Sequence, residues 1–317
     1  MKRSGLPFLL IPALMSIQLA GFVEPSHSLA YTPTATPYDG AAGLTIGSTR
    51  TSETDGMVMV YIPAGDFTMG FDRAAKKDMA PGHTVTLDAF WIDKTEITNA
   101  QYAMCVNAEA CDEPEDKTSH NRVKYYNAEK YVNFPVINVS WNDAANYCEW
   151  AGRILPSEAQ WEKAARGTDA RIYPWGNTVP STSLTNYNNP FGDTVQSGVY
   201  PDGASLYGAL DMAGNVREWT ADWYEDTYYK TSPKENPQGP DFGYKRAARG
   251  GSWGDDMSNI RAFIRWGLIP LTRSNNLGFR CVMPTDYSNS KKIDLHEMSV
   301  ITPVNMPFGV TCDLLIG

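Results

Sequence analysis

The chain is short of histidine, of net basic charge and of long apolar runs, and each shortage removes a class of function. Only four histidines occur in 317 residues, and no HxxxH or HExxH spacing joins them. A mechanism built on clustered imidazole ligands therefore lacks its parts. The 27 basic side chains are outnumbered by 36 acidic ones, for a net charge of −9, so nucleic acid is not an expected partner. The acidic surplus leaves room for divalent cations instead. No apolar stretch reaches the ~20 residues of a membrane-spanning helix. No internal repeat of about 20–50 residues recurs, which removes solenoids.

What is present begins with a leader. Lys2 and Arg3 form a positive start, Leu6 to Ala20 an apolar stretch, and Ser28-Leu29-Ala30 a small-residue cleavage site, so residues 1–30 read as a secretory signal peptide. The mature protein is expected to be secreted, with no membrane span left after cleavage. Residues 31–55 are rich in Thr, Pro, Gly and Ser without apolar periodicity and read as a flexible linker. A domain over 56–283 and a C-terminal tail over 284–317 complete the expected organisation.

Export makes the five cysteines, Cys105, Cys111, Cys148, Cys281 and Cys312, disulfide candidates before they are ligands or nucleophiles. A Cys105 to Cys111 bridge closes a short loop worth about 2 kcal/mol, and a Cys148 to Cys281 bridge a long one worth about 5 kcal/mol, by chain entropy. The residues by themselves leave the pairing open, with Cys312 as the candidate odd cysteine.

Two stretches, 56–70 (GMVMVYIPAGDFTMG) and 83–92 (HTVTLDAFWI), alternate apolar residues between turn formers and each predict strand structure, the first a strand pair. Three short helices carry capping-box signatures, Thr98 with Gln101, Ser140 with Asp143, and Ser157 with Gln160. The third helix, 158–166, adds a Glu162/Arg166 pair four apart and stops at Gly167. Beyond Gly167 no helix-length periodic segment follows, which excludes a doubly wound sheet. Such a stretch must be held by buried polar networks, ions or disulfides, because its backbone groups lack ladders.

Several stretches in order, MVYIPAGDFTMG (59–70 and its flank), KTEITNAQYAMC (94–105), PVINVSWNDAANYCEWAGRILPSEAQWEKAARG (135–167), YPWGN (173–177), LYGALDMAGNVREWTADWY (206–224), RGGSW (249–253) and NNLGFRCV (275–282), together resemble the formylglycine-generating enzyme, or sulfatase-modifying factor, family. The resemblance implies an α+β domain of C-type-lectin-like architecture with low regular secondary structure and few short helices. It also implies a Cys148–Cys281 disulfide. Family members that oxidise a substrate cysteine carry two cysteines, five apart, just after the GGS-aromatic motif, where they hold copper(I). Here those positions are Asp255 and Ile260. Monovalent copper needs soft thiolates, so copper is not expected and no residue is assigned as catalytic.

Calcium is the expected cofactor, in a structural role. Asp211-Met212-Ala213-Gly214-Asn215-Val216-Arg217-Glu218 matches the family's calcium loop, with side-chain oxygens from Asp211 and Glu218 and carbonyls from Gly214 and Val216. A second, looser site would take the Asn186 and Asp193 side chains with the Tyr187 and Val195 carbonyls. Mixed carboxylate and carbonyl oxygens suit a hard cation.

Gly250-Gly251-Ser252-Trp253-Gly254 matches the G-x-S-x-G pattern of hydrolases, but Gly254-Asp255-Asp256 opens a loop, so a tight glycine turn is the expected reading. Arginines 246, 249, 261, 265 and 280 crowd the same motifs with eight tryptophans. Most are expected to fill the core. Trp253, Asp255, Asp256, Asn259, Arg265 and Trp266 are expected to line the groove where enzymatic relatives hold a peptide, because consecutive acids seldom go inside unpaired. The functional expectation is a non-oxidase binding or accessory module taking a peptide, protein or small ligand in that groove. The rival is an enzyme, a formylglycine-generating oxidase or another oxidoreductase. A lectin-fold receptor diversified by a retroelement is a third reading, weakened because only Asn259, Asn275 and Asn276 supply asparagine in that window.

Overall fold

In the computed structural model, residues 43–73 and 77–285 are described. The expected signal peptide, the expected tail beyond 285 and Cys312 lie outside them. The chain runs β1 (Thr49–Thr51), β2 (Val58–Ile62), β3 (Gly65–Met69), β4 (His83–Leu87), β5 (Phe90–Asp93), α1 (Asn99–Asn107), α2 (Trp141–Trp150), α3 (Glu158–Arg166), β6 (Arg217–Trp223), β7 (Arg246–Arg249), β8 (Arg265–Leu268), β9 (Leu277–Phe279) and β10 (Val282–Pro284), with short 3-10 turns between. Its α+β class and sparse helices match the expectation.

Three sheets form: β1-β2-β5-β10, β3-β4, and β8-β7-β6-β9. β2 and β3 were expected to pair with each other, but β2 pairs with β5 and β3 with β4. Gly65, at φ +121, turns the chain from one sheet into the other, a conformation open to glycine because it has no Cβ. The linker boundary also moves. β1 lies inside 31–55 and pairs Thr49 to Val60, and Asp55 is buried, accepting from Tyr147 and Arg153. The last residues of that stretch are therefore domain, a fact hidden by their polar composition because they are tied in through one carboxylate.

Each helix starts on its capping box, at Thr98, Ser140 and Ser157, where hydroxyl and N3 side chain satisfy otherwise orphaned donors. Both expected disulfides, Cys105–Cys111 and Cys148–Cys281, are present. The second ties α2 to the turn between β9 and β10. α3 runs through the interior: Glu158, Glu162, Lys163 and Arg166 are all buried. Lys163 donates to the Pro63 and Gly65 carbonyls, so this helix braces the β2–β3 turn. Burial draws its ammonium down to about 8.

Candidate functional site

The site is built where the β6 end of one sheet meets the loops at 186–195, 210–216 and 250–260. Gly250 and Gly251 both adopt positive φ. A Cβ on Gly251 would lie 2.7 Å from the Asn259 carbonyl oxygen, so the turn is closed to other residues. It delivers Ser252, fully buried, whose Oγ donates to Asp255 Oδ2 at 2.7 Å. Ser252 is thus a turn residue, as expected, and not a nucleophile on a strand-to-helix elbow.

Asp255 accepts both its bonds from Arg217 Nη2 at 2.7 Å and a further one from the Ser252 backbone N–H. Arg217 lies flat on Trp266, 4.2 Å from the ring centroid. The loop before Gly192 closes onto the same segment: Asn188 N–H donates to the Asp255 carbonyl and Asn189 N–H to the Trp253 carbonyl. His120 packs on Trp253 with centroids 5.0 Å apart. Asp256 is exposed, and hydrogen bonds from the Ser258 hydroxyl and then its backbone N–H hold the carboxyl below its ordinary range. Asn259 bonds back to the same carboxylate at 3.3 Å.

The structure therefore gathers Trp253, Asp255, Asp256, Asn259 and Trp266 on one face, although Trp253 is itself 6% exposed and shows little of its ring. Arg265 is a correction. It is buried, with Nε and Nη2 on Glu158 at 2.6 and 2.7 Å. β8 alternates, sending Arg265 inward to α3 and Trp266 outward to Arg217, so adjacent residues belong to different places. Ile260 is fully buried against Tyr173 and Ala213.

The loop 210–216 sits behind this face. Asp211 and Asn215 take positive φ. Gly214 admits no Cβ, since one would lie 2.4 Å from the Asn186 carbonyl and from Thr185 Oγ1. Glu96, which the sequence reading passed over, organises the loop: its carboxylate accepts from Val216 N–H, Asn215 Nδ2 and Ser197 Oγ. The KTEITN stretch that contains it was legible as a family motif, but nothing local marked the glutamate. Asn215 then joins the two expected calcium segments, donating to the Val195 carbonyl and accepting from Val195 N–H and Asn186 Nδ2.

The electrostatics of this region are lopsided. Glu96, Asp211 and Glu218 are buried carboxylates that repel one another, and they share one guanidinium, Arg280. Burial pushes Asp211 up to about 6, against the pull of a Gly198 N–H and Arg280. Burial, and then repulsion from Asp211 and Glu218, pushes Glu96 well above the usual carboxylate range. Glu218 is the best compensated: Arg280 takes both its oxygens and Trp161 Nε1 donates to Oε2. Its first role is to hold that arginine. In the second expected segment, Asp193 is buried and faces Arg122 at 3.3 Å, the Tyr187 hydroxyl donates to Pro180, and Asn186 Oδ1 is buried with no hydrogen bond. Among the described residues no three of His, Cys, Asp and Glu gather as a side-chain metal cage.

Comparison with known proteins gives this geometry its family. The sulfatase-modifying factor enzyme 1-like domain matches residues 45–285. The chain belongs to that family. It is 33% identical over 311 residues to a formylglycine-generating enzyme of Streptomyces coelicolor, covering 80% of this chain and 98% of that protein. It is 35% identical over 238 residues to the serine/threonine-protein kinase pkn1 of Chlamydia pneumoniae, covering 70% of this chain but only 37% of the kinase. Among solved structures, PvdO from Pseudomonas aeruginosa superposes with a TM-score of 0.64 at 26% identity, covering 75% of this chain and 98% of PvdO. The family match begins at residue 45, in accord with the domain start that β1 defines. No helix among the described residues is long and apolar enough to cross a membrane.

Proposed function

We propose that this sulfatase-modifying-factor domain is a secreted, non-oxidase binding or accessory module whose groove face holds a peptide segment of a partner protein. What carries this reading is the pair of positions five apart after the glycine turn. Asp255 is locked by Arg217 and Ser252, and Ile260 is sealed in the core. A carboxylate engaged by a guanidinium and a buried aliphatic side chain can neither bind copper(I) nor exchange with a substrate thiol. The two cavities described, of about 220 and 160 Å³, lie elsewhere, beside Gly70 with Arg166 and beside Arg50 with Arg153.

Calcium is proposed as a structural partner of the same region. The donor chemistry fits: the orphaned Asn186 Oδ1 lacks a cation or donor, and three buried carboxylates outnumber their one arginine. Asp211 with the Gly214 and Val216 carbonyls, and Asn186 with Asp193, would hold the ions. Bound calcium supplies positive charge that offsets this excess and stabilises the native state by mass action.

The reading is tested by incubating the purified protein with a Cys-x-Pro-x-Arg peptide, copper and oxygen and weighing the product. Unchanged peptide is expected. Conversion of the thiol to the aldehyde would establish the oxidase instead.

A further inference from the structure

Among the described residues six arginines lie over aromatic rings: Arg122, Arg166, Arg217, Arg246, Arg249 and Arg265. Five of them also grip a carboxylate, namely Asp193, Glu162, Asp255, Glu162 with Glu158, and Glu158. Arg246 does not, among the described residues. Its guanidinium is wedged between two indoles, 3.9 Å from the Trp141 centroid and 3.5 Å from that of Trp223. It makes one hydrogen bond, to the Ala221 carbonyl, and its Nε is buried without a partner. The nearest carboxylate by charge, Asp222, is committed to the Glu158 N–H at the start of α3.

Large apolar side chains surround this wedge and face solvent. Gly243 lies against Trp223, which sets Phe242 and Tyr244, 86% and 90% exposed, beside it. Arg246 pairs in register with Leu268, and Trp141 N–H donates to the Pro270 carbonyl, which brings up exposed Ile269 and Leu271. A half-buried cation with exposed aromatic and aliphatic residues on the neighbouring chain segments has the composition of an interface centre, where arginine and aromatic residues concentrate binding energy.

We propose that the Trp141–Arg246–Trp223 wedge docks an aspartate or glutamate carried, with apolar neighbours, on a segment of a partner polypeptide. The carboxylate completes at Arg246 the arrangement that every other stacked arginine among the described residues already has, and the apolar neighbours cover Tyr244 and Leu271. Trp266 occupies the same face of the sheet, two register pairs further along β7 and β8, so this surface extends the face that carries Asp255 and Arg217. It stands whether or not the groove itself holds a peptide.

The test pans a random dodecapeptide library displayed on phage against the full chain and measures the selected peptides, synthesised, by fluorescence anisotropy. The expected peptides share an acidic residue beside apolar ones. Arg246→Gln is expected to weaken them by about tenfold or more, and Tyr244→Ala by about threefold. Tyr244 is so exposed that its variant does not put folding at stake. Peptides without a shared acid, binding indifferent to both variants, or binding lost with Asp255→Ala instead would overturn the proposal. So would a wild-type dimer that Arg246→Gln dissociates, since the occupant would then be a second copy.

Discussion

Charge is handled in opposite ways on the two sides of the β6-β7-β8 sheet. Beneath α3, Glu158, Glu162, Arg166, Arg249 and Arg265 are each no more than 2% exposed, and every one is paired. Arg249 spans Glu158 and Glu162, while Arg265 forks onto Glu158 and reaches the Asp78 and Glu225 carbonyls. Burial drives the Glu158 carboxyl up, and Arg265 and Arg249 pull it below its ordinary value. On the other side, Asp255 and Arg217 keep 12% and 16% of their side chains exposed, and Asp256 stands in solvent. The difference teaches what holds a loop-rich domain together. Where ladders are few, planar guanidinium forks satisfy loop carbonyls and carboxylates at once, while the surface carboxylates are held by short turn contacts and one partly exposed arginine.

The largest expected effect separates the two sides directly. Arg265→Ala leaves buried Glu158 with only its longer contact to Arg249 and should cost about 3 kcal/mol, whereas Arg217→Ala leaves a carboxylate that water can reach and should cost about 1 kcal/mol. Urea unfolding midpoints measure both, and equal losses would break the contrast.

A second effect concerns pH. Burial, reinforced by Glu158, pushes Asp222 up to about 8. The folded state then holds a proton that the unfolded chain releases near 4, so this group's contribution is fully present below about 4 and is lost as pH rises toward 8. Asp222→Asn keeps a neutral acceptor for the Glu158 N–H. It should flatten the fall of melting temperature between pH 5 and 8 (about one to four units above the unfolded carboxylate value). A variant with the wild-type slope would remove Asp222 as the cause.

The smallest effect is at the surface. Asp256→Ala removes the acceptor for the Ser258 N–H and hydroxyl and for Asn259 Nδ2 in an exposed loop and should shift stability by less than about 1 kcal/mol, read from the same urea midpoints. A loss as large as that of Arg265→Ala would show that the groove loop is braced like the interior.

Local patterns were legible because they act over a few residues. The capping boxes at Thr98, Ser140 and Ser157, the stop at Gly167 and the strand propensity of 56–70 all act within one or two turns of chain. The Cys148–Cys281 bridge was legible through family motifs. Glu96 and the inward turn of Arg265 were not, since their partners are Asn215 and Ser197 in one case and Glu158 in the other, about a hundred residues away or more.

By itself the sequence determined the class of this domain, its helix starts and the absence of a thiol pair after the glycine turn. Each of these depends on residue identity, short spacing or family motifs. Only the tertiary structure decided which charges go inside, that β2 and β3 part into different sheets, that Asp55 belongs to the core, and that Arg246 alone of the stacked arginines has no carboxylate among the described residues. Those outcomes depend on which distant groups meet. A buried charge is tolerated only where a partner arrives in three dimensions.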